Sequence, residues 1–384
     1  MFRRAYVYFL ASAAICASTV LASAQVTSSQ TEIQNSSTAP VAFVYVANAR
    51  TSTTNEITGY SVASNGTLTP ISGSPFHFNV TYMALTGHWL FGIANTFEDI
   101  DSFAIGSNGA LSLKDKLTVV TNGDGLLADY LDHTGSTLYA DLYSTNNDFL
   151  SYTIDHSTGQ IMQIGDLSGG PSDGGAVSFI GNNVFAYSSS CYHFSPEIVG
   201  VRRNSNGTFA YLDSFNPPFP TEKSGGFYCP SMAAADPTNH LAIALQPLTS
   251  YLTADGPWQL ATYTADGDGN LSTHSTYTNM PKVLVGMVSS YRMSPSGRLL
   301  AVGGSSGLEV FHFNGTNPIT KYTGRLTTSA IDQVFWDNSN HLYAISRSAG
   351  KLYLFTVTPT SVTQAPGSPH SISKPQNLIV LPST

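Results

Sequence analysis

The segment Ser64–Phe76, SNGTLTPISGSPF, returns in worn copies along the chain. SNGALSL follows at Ser107–Leu113, STGQIMQI at Ser157–Ile164, SNGTFAYL at Ser205–Leu212 and GDGNLST at Gly267–Thr273. PGSPH, Pro366–His370, echoes SGSPF near the far end. An Asn-Gly or Thr-Gly pair between alternating apolar residues specifies a hairpin, because the turn needs positive φ at its centre. Each copy is therefore read as a hairpin tip. Tyr291–Leu326 shows the longer unit around a tip: a short strand, a Ser-Pro-Ser-Gly turn, an apolar strand, a loop, an alternating strand, a second turn and a last strand. One twisted four-stranded sheet of about 45 residues cannot cover both of its own faces, so such units stack as propeller blades.

Seven units begin near Phe43, Met83, Leu127, Val177, Met232, Tyr291 and Gln333. Six carry a short strand and turn before an LYA-like strand, whereas FVYVANA at Phe43 starts directly on the second strand. The missing piece stands at the other end, where Lys374–Pro382, KPQNLIVLP, has the character of an innermost strand. The expected fold is all-β: a seven-bladed β-propeller of four-stranded antiparallel blades over residues 40–384, closed by Asn377–Leu381 pairing with Phe43–Ala47. Closure by the two ends removes open sheet edges. An open sandwich or a two-domain β protein is the alternative, and the regular spacing argues against it.

Residues 1–24 read as a secretory signal peptide: Arg3 and Arg4, a short apolar core, then Ala22-Ser23-Ala24 before Gln25. Lipidation at Cys16 is disfavoured by Ile15 before it, and residues 25–39, rich in Ser, Thr and Gln, read as a flexible lead-in. No later run of about 18 apolar residues offers a membrane anchor, so a secreted or periplasmic protein is expected. Charged residues make up 10% of the chain and the formal charge is −8. Without a Lys/Arg cluster, nucleic acid and anionic membrane are excluded as expected partners.

Outside the leader two cysteines remain, Cys191 and Cys229, an even number in an oxidising compartment. Cys191 falls in the loop between the second and third strands of the fourth unit, and Cys229 in the link to the fifth. Both loops leave a propeller on its top face, which makes a Cys191–Cys229 disulfide the expected state over two free thiols.

FVYVANA with GYSVASNGTLTPISGSPF resembles the opening blade of the lactonase-like seven-bladed propellers, the superfamily of 6-phosphogluconolactonase and carboxy-muconate cyclase with its YVTN-type repeats. The likeness spans the chain beyond the leader and rests mostly on blade-forming residues. In that family a His-rich segment precedes an inner strand whose partner ends in Val-Pro-Asp-Leu-Gly. Asp141-Leu142 matches the Asp-Leu here, and Asp148 stands where a second Asp is usual. Gly123–Leu127, GDGLL, occupies the place of the His segment, and His133 lies in the following turn on the opposite face. The family's Gly-Pro-Arg-His segment is here GGPSDGG, with Pro171 kept and Ser172 and Asp173 replacing Arg and His; YSSSCYHF then supplies no acid before Glu197.

Opening a lactone needs a base for water and a donor or cation for the oxyanion, so the fold transfers and the usual catalytic set does not. The polar residues expected on the top face are Asp124, Asp141, Asp148, Asp173, His193, Glu197, Arg292, Asp332 and Arg347, with Arg292 just inside an inner strand. Asp124 and Asp173 also read as turn formers, Asp141 and Asp148 as loop anchors, and Arg292 as a partner for carbonyls near the axis. Asp266–Asn270, DGDGN, lacks the Gly and the final acid of a calcium loop, and no zinc, Walker or nucleophile-elbow pattern occurs. No metal or cofactor is expected. The expected function is binding of a sugar-like small molecule or a protein partner by a monomer, with Tyr251, Trp258, Phe219 and Phe227 on long top loops offering stacking surfaces. The alternative is a 6-phosphogluconolactonase-like hydrolase with a rearranged site.

Overall fold

Near-continuous apolar runs such as Ala42–Ala49, Trp89–Ala94 and His341–Ser346 are buried along almost their whole length, because each lies mid-sheet with a neighbouring sheet on either side. Outer strands such as Leu111–Thr118 are mostly exposed. The computed structural model describes residues 39–119, 125–143, 148–168, 177–191, 194–223 and 225–383. They form seven antiparallel sheets, each ordered from an innermost first strand to an outermost fourth. Innermost strands are Val80–Thr86, Gly125–Leu131, Ser178–Phe179, Phe227–Ala235, Val288–Met293 and Gln333–Trp336 in blades two to seven.

Blade one takes its innermost strand from the C-terminus. Pro375–Pro382 lies beside Ala42–Ala49 with Phe43 opposite Leu381, Val44 opposite Val380, Val46 opposite Leu378 and Ala47 opposite Asn377, the register expected from the sequence. A one-residue slip would turn Val44 and Val46 away from their apolar cluster with Tyr343, Leu354 and Leu378. Side chains also stitch neighbouring blades: between innermost strands Ser290 Oγ accepts from the Val334 amide at 2.9 Å and Ser178 Oγ from the Ala235 amide at 2.8 Å, and Asn55 Nδ2, at the start of blade one's third strand, donates to the Val80 carbonyl at 2.9 Å.

The recurring tips have a packing role. In four blades an aromatic residue of the second strand donates to a tip carbonyl of the next blade: Tyr45 to Gly109, Tyr139 to Gly207 and Tyr187 to Gly269, each at 2.7 Å, and Trp89 Nε1 to His156 at 2.9 Å. Gly109 has φ +82°, and a Cβ there would lie 2.6 Å from the Phe43 ring. A glycine is needed at that tip for its dihedral and for the close approach.

SGSPF and PGSPH also act alike. After the short fourth strand, the chain turns back so that Phe76 pairs with Ile57 and His370 with Leu352, while Ser74 and Ser368 accept from the amides of Gly59 and Leu354 at 2.9 Å. This covers the part of the third strand that a three-residue fourth strand leaves open. In blade seven the return adds a fifth short strand, His370–Ser371, beyond the four expected.

The Cys191–Cys229 disulfide is present, with Cα atoms 5.3 Å apart and 38 residues of separation. Cys229 differs from expectation in one respect: it lies within the innermost strand of blade five, which starts at Phe227. Between Pro230 and Ala233 the pairing of that strand shifts, and Met232 has φ +71°. This bulge hides the upper half of the strand from a periodicity reading.

Candidate functional site

Since each blade starts at the axis and alternates outward, the links between blades and the loops between second and third strands leave on one face, the top. The hairpin tips and the turns after the innermost strands leave on the other, the bottom.

A cleft of about 420 Å³ opens on the top face between blades two and three. Tyr82 comes from the innermost strand of blade two, Thr96, Phe97 and Glu98 from its top loop, Gly125, Leu126 and Leu127 from the innermost strand of blade three, and Tyr143 from the end of that blade's second strand. The loop is fixed by its backbone: the Leu126 amide donates to the Phe97 carbonyl and the Val119 amide to the Glu98 carbonyl, both at 2.8 Å. Phe97 is held at φ +63°, a conformation that costs a non-glycine residue about 1 kcal/mol or more and persists where its surroundings enforce it. Its ring lies 6.4 Å from that of Tyr82 at an interplanar angle of 51°. Tyr143 is 60% exposed and presents its ring to the opening. Beneath the loop, Lys116 Nζ pairs with Asp99 at 2.8 Å, which leaves Glu98 as the charged group of the cleft lining.

Of the polar residues expected from the sequence, the six that are described do not converge on one point. Asp141, 3% exposed, accepts from the Tyr130 hydroxyl at 3.0 Å, inside blade three. Asp148 and Glu197 each begin a third strand at the top, in blades three and four, and they come near a common neighbour, Tyr211. Burial, together with those two carboxylates, pushes the Tyr211 hydroxyl up to about 12. Burial and the charge of Asp148 likewise raise Asp166. Asp332 accepts from the Arg347 amide at 2.6 Å, and Arg347 Nε donates to the Pro375 carbonyl at 3.4 Å. That pair fixes the top loop of blade seven to the closing strand.

Arg292 lies elsewhere. It is the fifth of six residues in Val288–Met293, a strand that runs from top to bottom, so it lies near that strand's lower end instead of at the top rim, with its guanidinium over the Phe335 ring of the next blade. Asp124, Asp173 and His193 lie outside the described residues.

Among the aromatic candidates, Tyr251 is 87% exposed on its loop, whereas Trp258 and Phe219 pack against apolar clusters. Asp266 of DGDGN accepts from the amides of Asp268 and Asn270 at 2.9 Å and so serves its own turn. The cleft residues Tyr82, Phe97, Glu98 and Tyr143 were not singled out by the sequence; the one available signal was the aromatic residue ending the strand ADLY just before a top loop.

No family model matches the chain, and no curated protein matches it in sequence. Solved structures do resemble it. A candidate 6-phosphogluconolactonase from Bacteroides fragilis is 14% identical with a TM-score of 0.66, the match covering 90% of this chain and 99% of that one. A Lactobacillus plantarum protein is 12% identical with a TM-score of 0.64, covering 89% and 99%. The periplasmic gluconolactonase of Pseudomonas aeruginosa is 14% identical with a TM-score of 0.62, covering 88% and 99%. At this identity the likeness establishes a shared seven-bladed propeller fold.

Proposed function

We propose that this propeller is exported and binds a small sugar-like ligand on its top face without hydrolysing a lactone. One observation carries the reading: the cleft between blades two and three, walled by the rings of Tyr82, Phe97 and Tyr143 and edged by Glu98. Aromatic rings offer flat apolar faces to the C–H face of a pyranose, and a carboxylate accepts hydrogen bonds from its hydroxyls. The volume of about 420 Å³ falls in the range of small-molecule sites. A cation to stabilise the oxyanion of lactone opening is not among the described lining residues, which contain no Arg, Lys or His. The departures from the lactonase pattern at Gly123–Leu127 and at Ser172 and Asp173 point the same way. The signal-like residues 1–24 and the Cys191–Cys229 disulfide support export to an oxidising compartment.

The test is calorimetric titration of the chain with glucose, maltose and glucono-δ-lactone, with pH-stat recording of lactone opening in parallel. The expected result is saturable binding of at least one sugar, weakened tenfold or more by Tyr143→Ala and unchanged by Tyr251→Ala. Failure of every sugar to bind, or saturable lactone turnover above the spontaneous rate, overturns the reading; the second outcome favours the hydrolase.

A further inference from the structure

Arg292 is a cation on an innermost strand with no acid partner among the described residues. Its side chain keeps water-accessible surface, yet its surroundings desolvate it enough to pull the guanidinium down to about 10. Arg292 stands on an innermost strand, next to the axis, with its side chain exposed and stacked on one neighbouring ring. One face of the guanidinium is covered by the Phe335 ring of the next blade, 3.7 Å from its centroid. No carboxylate and no hydrogen-bond acceptor among the described residues partners the guanidinium. The wall beside it is apolar: Phe335 packs with Leu85 and Leu381 against one core cluster, and Tyr291, its neighbour in sequence, turns toward another. A guanidinium stacked on a ring keeps its in-plane N–H donors free, and that fork matches the two oxygens of a carboxylate or phosphate. A partly desolvated guanidinium without an acid partner is open to an oxyanion, which would supply the charge-assisted hydrogen bonds its neighbours do not.

We infer that the axial channel holds an oxyanion site in which Arg292, stacked on Phe335, binds a carboxylate or phosphate group in bidentate fashion. The site is separate from the top-face cleft and does not depend on it. The strand backbone fixes its position: Arg292 pairs with Ala301 in the second strand, and its carbonyl accepts from Trp336 Nε1 at 3.2 Å, joining blades six and seven at that level.

The experiment titrates the full chain with inorganic phosphate and, separately, with sodium gluconate at constant ionic strength, following heat of binding and thermal midpoint. The two arms separate a phosphate ligand from a carboxylate. Saturable binding of at least one anion is expected, weakened tenfold or more in Arg292→Gln and several-fold in Phe335→Leu, which keeps the charge but removes the stack. In anion-free buffer Arg292→Gln should unfold at the same or a higher temperature than the parent. A second measurement needs no variant: phenylglyoxal modification mapped by mass spectrometry should show Arg292 protected by the bound anion and not by sodium chloride, while exposed Arg50 reacts equally in all. Absence of saturable binding by either anion, binding that survives Arg292→Gln, or modification of Arg292 indifferent to the anions overturns the assignment.

Discussion

Replacing Gly159 by alanine tests whether the recurring hairpin tips hold the blades together. The tip of blade three has Gly159 at φ +78°, and a Cβ built there would lie 2.2 Å from Cζ3 and 2.3 Å from Cε3 of Trp89 in blade two. That ring cannot swing aside freely, since it is 8% exposed and its Nε1 donates to the His156 carbonyl of the same tip at 2.9 Å. The left-handed dihedral costs alanine about 1 kcal/mol. Overpacking against the ring adds about 1–3 kcal/mol, and a weakened indole hydrogen bond adds about 1 kcal/mol more. Gly159→Ala is therefore expected to cost about 3–5 kcal/mol. Gly87→Ala is the internal control: φ is +55°, but no atom lies within 4 Å of the added Cβ, so only the dihedral cost of about 1 kcal/mol applies. Urea unfolding followed by tryptophan fluorescence and circular dichroism, with equal slopes required for the comparison, gives the difference. Equal midpoints for the two variants would refute the docking role of the tips.

Three further outcomes follow from named contacts. Replacing both Cys191 and Cys229 by serine opens a loop of 38 residues' separation and should cost about 4 kcal/mol on the chain-entropy account, read as a lower urea midpoint that added reductant reproduces in the parent. Asp132 is buried, which alone would raise its carboxyl, but hydrogen bonds from Thr134, Asn183 and the Thr137 amide, with Arg203 beside it, hold it below the usual range. Its stabilisation is thus complete above the unfolded value of about 4 and lost as pH falls through the lower folded value. Asp132→Asn should cost about 3 kcal/mol at pH 7, with Arg203 3.2 Å away left uncompensated, and the deficit should shrink in acid. Asp101 has the opposite sign: burial, aided by Asp99 and opposed by Lys116, raises its carboxyl, so it destabilises the fold at neutral pH and ceases to as pH falls. Asp101→Asn should therefore leave stability at pH 7 unchanged or increased, and a drop there would refute the assignment.

The parts of this molecule legible in its sequence are those repeated by local physics. Turn chemistry and two-residue alternation recur in every blade, so the tips, the blade count and the vacant inner position at Phe43 could be read together, and with them the pairing of Val44 with Val380. Irregularity hid what it touched: the bulge after Pro230 concealed the upper strand that carries Cys229, and the echo of SGSPF in PGSPH marked a repeated turn but not the short strand His370–Ser371 that it returns as.

The candidate site was harder to read because its members share no period. Tyr82, Phe97, Leu127 and Tyr143 come from two blades and four elements, and the backbone bond from Leu126 to Phe97 ties the two blades together at the opening. Charged residues were visible as residue types, but their roles depended on partners that sequence does not display. Asp332 and Arg347 serve the blade-seven loop at one another's side, whereas Arg292, flanked by an aromatic ring and no acid, retains unused hydrogen-bond donors in the channel. In a propeller every blade places one strand on the axis, so a cation there meets only what the other six strands present. Phe335 offers it a ring, and Leu85 and Leu381 of two other innermost strands are aliphatic, so the charge has no acid partner among the described residues; an anionic ligand would supply one, and the anion titration measures whether it does.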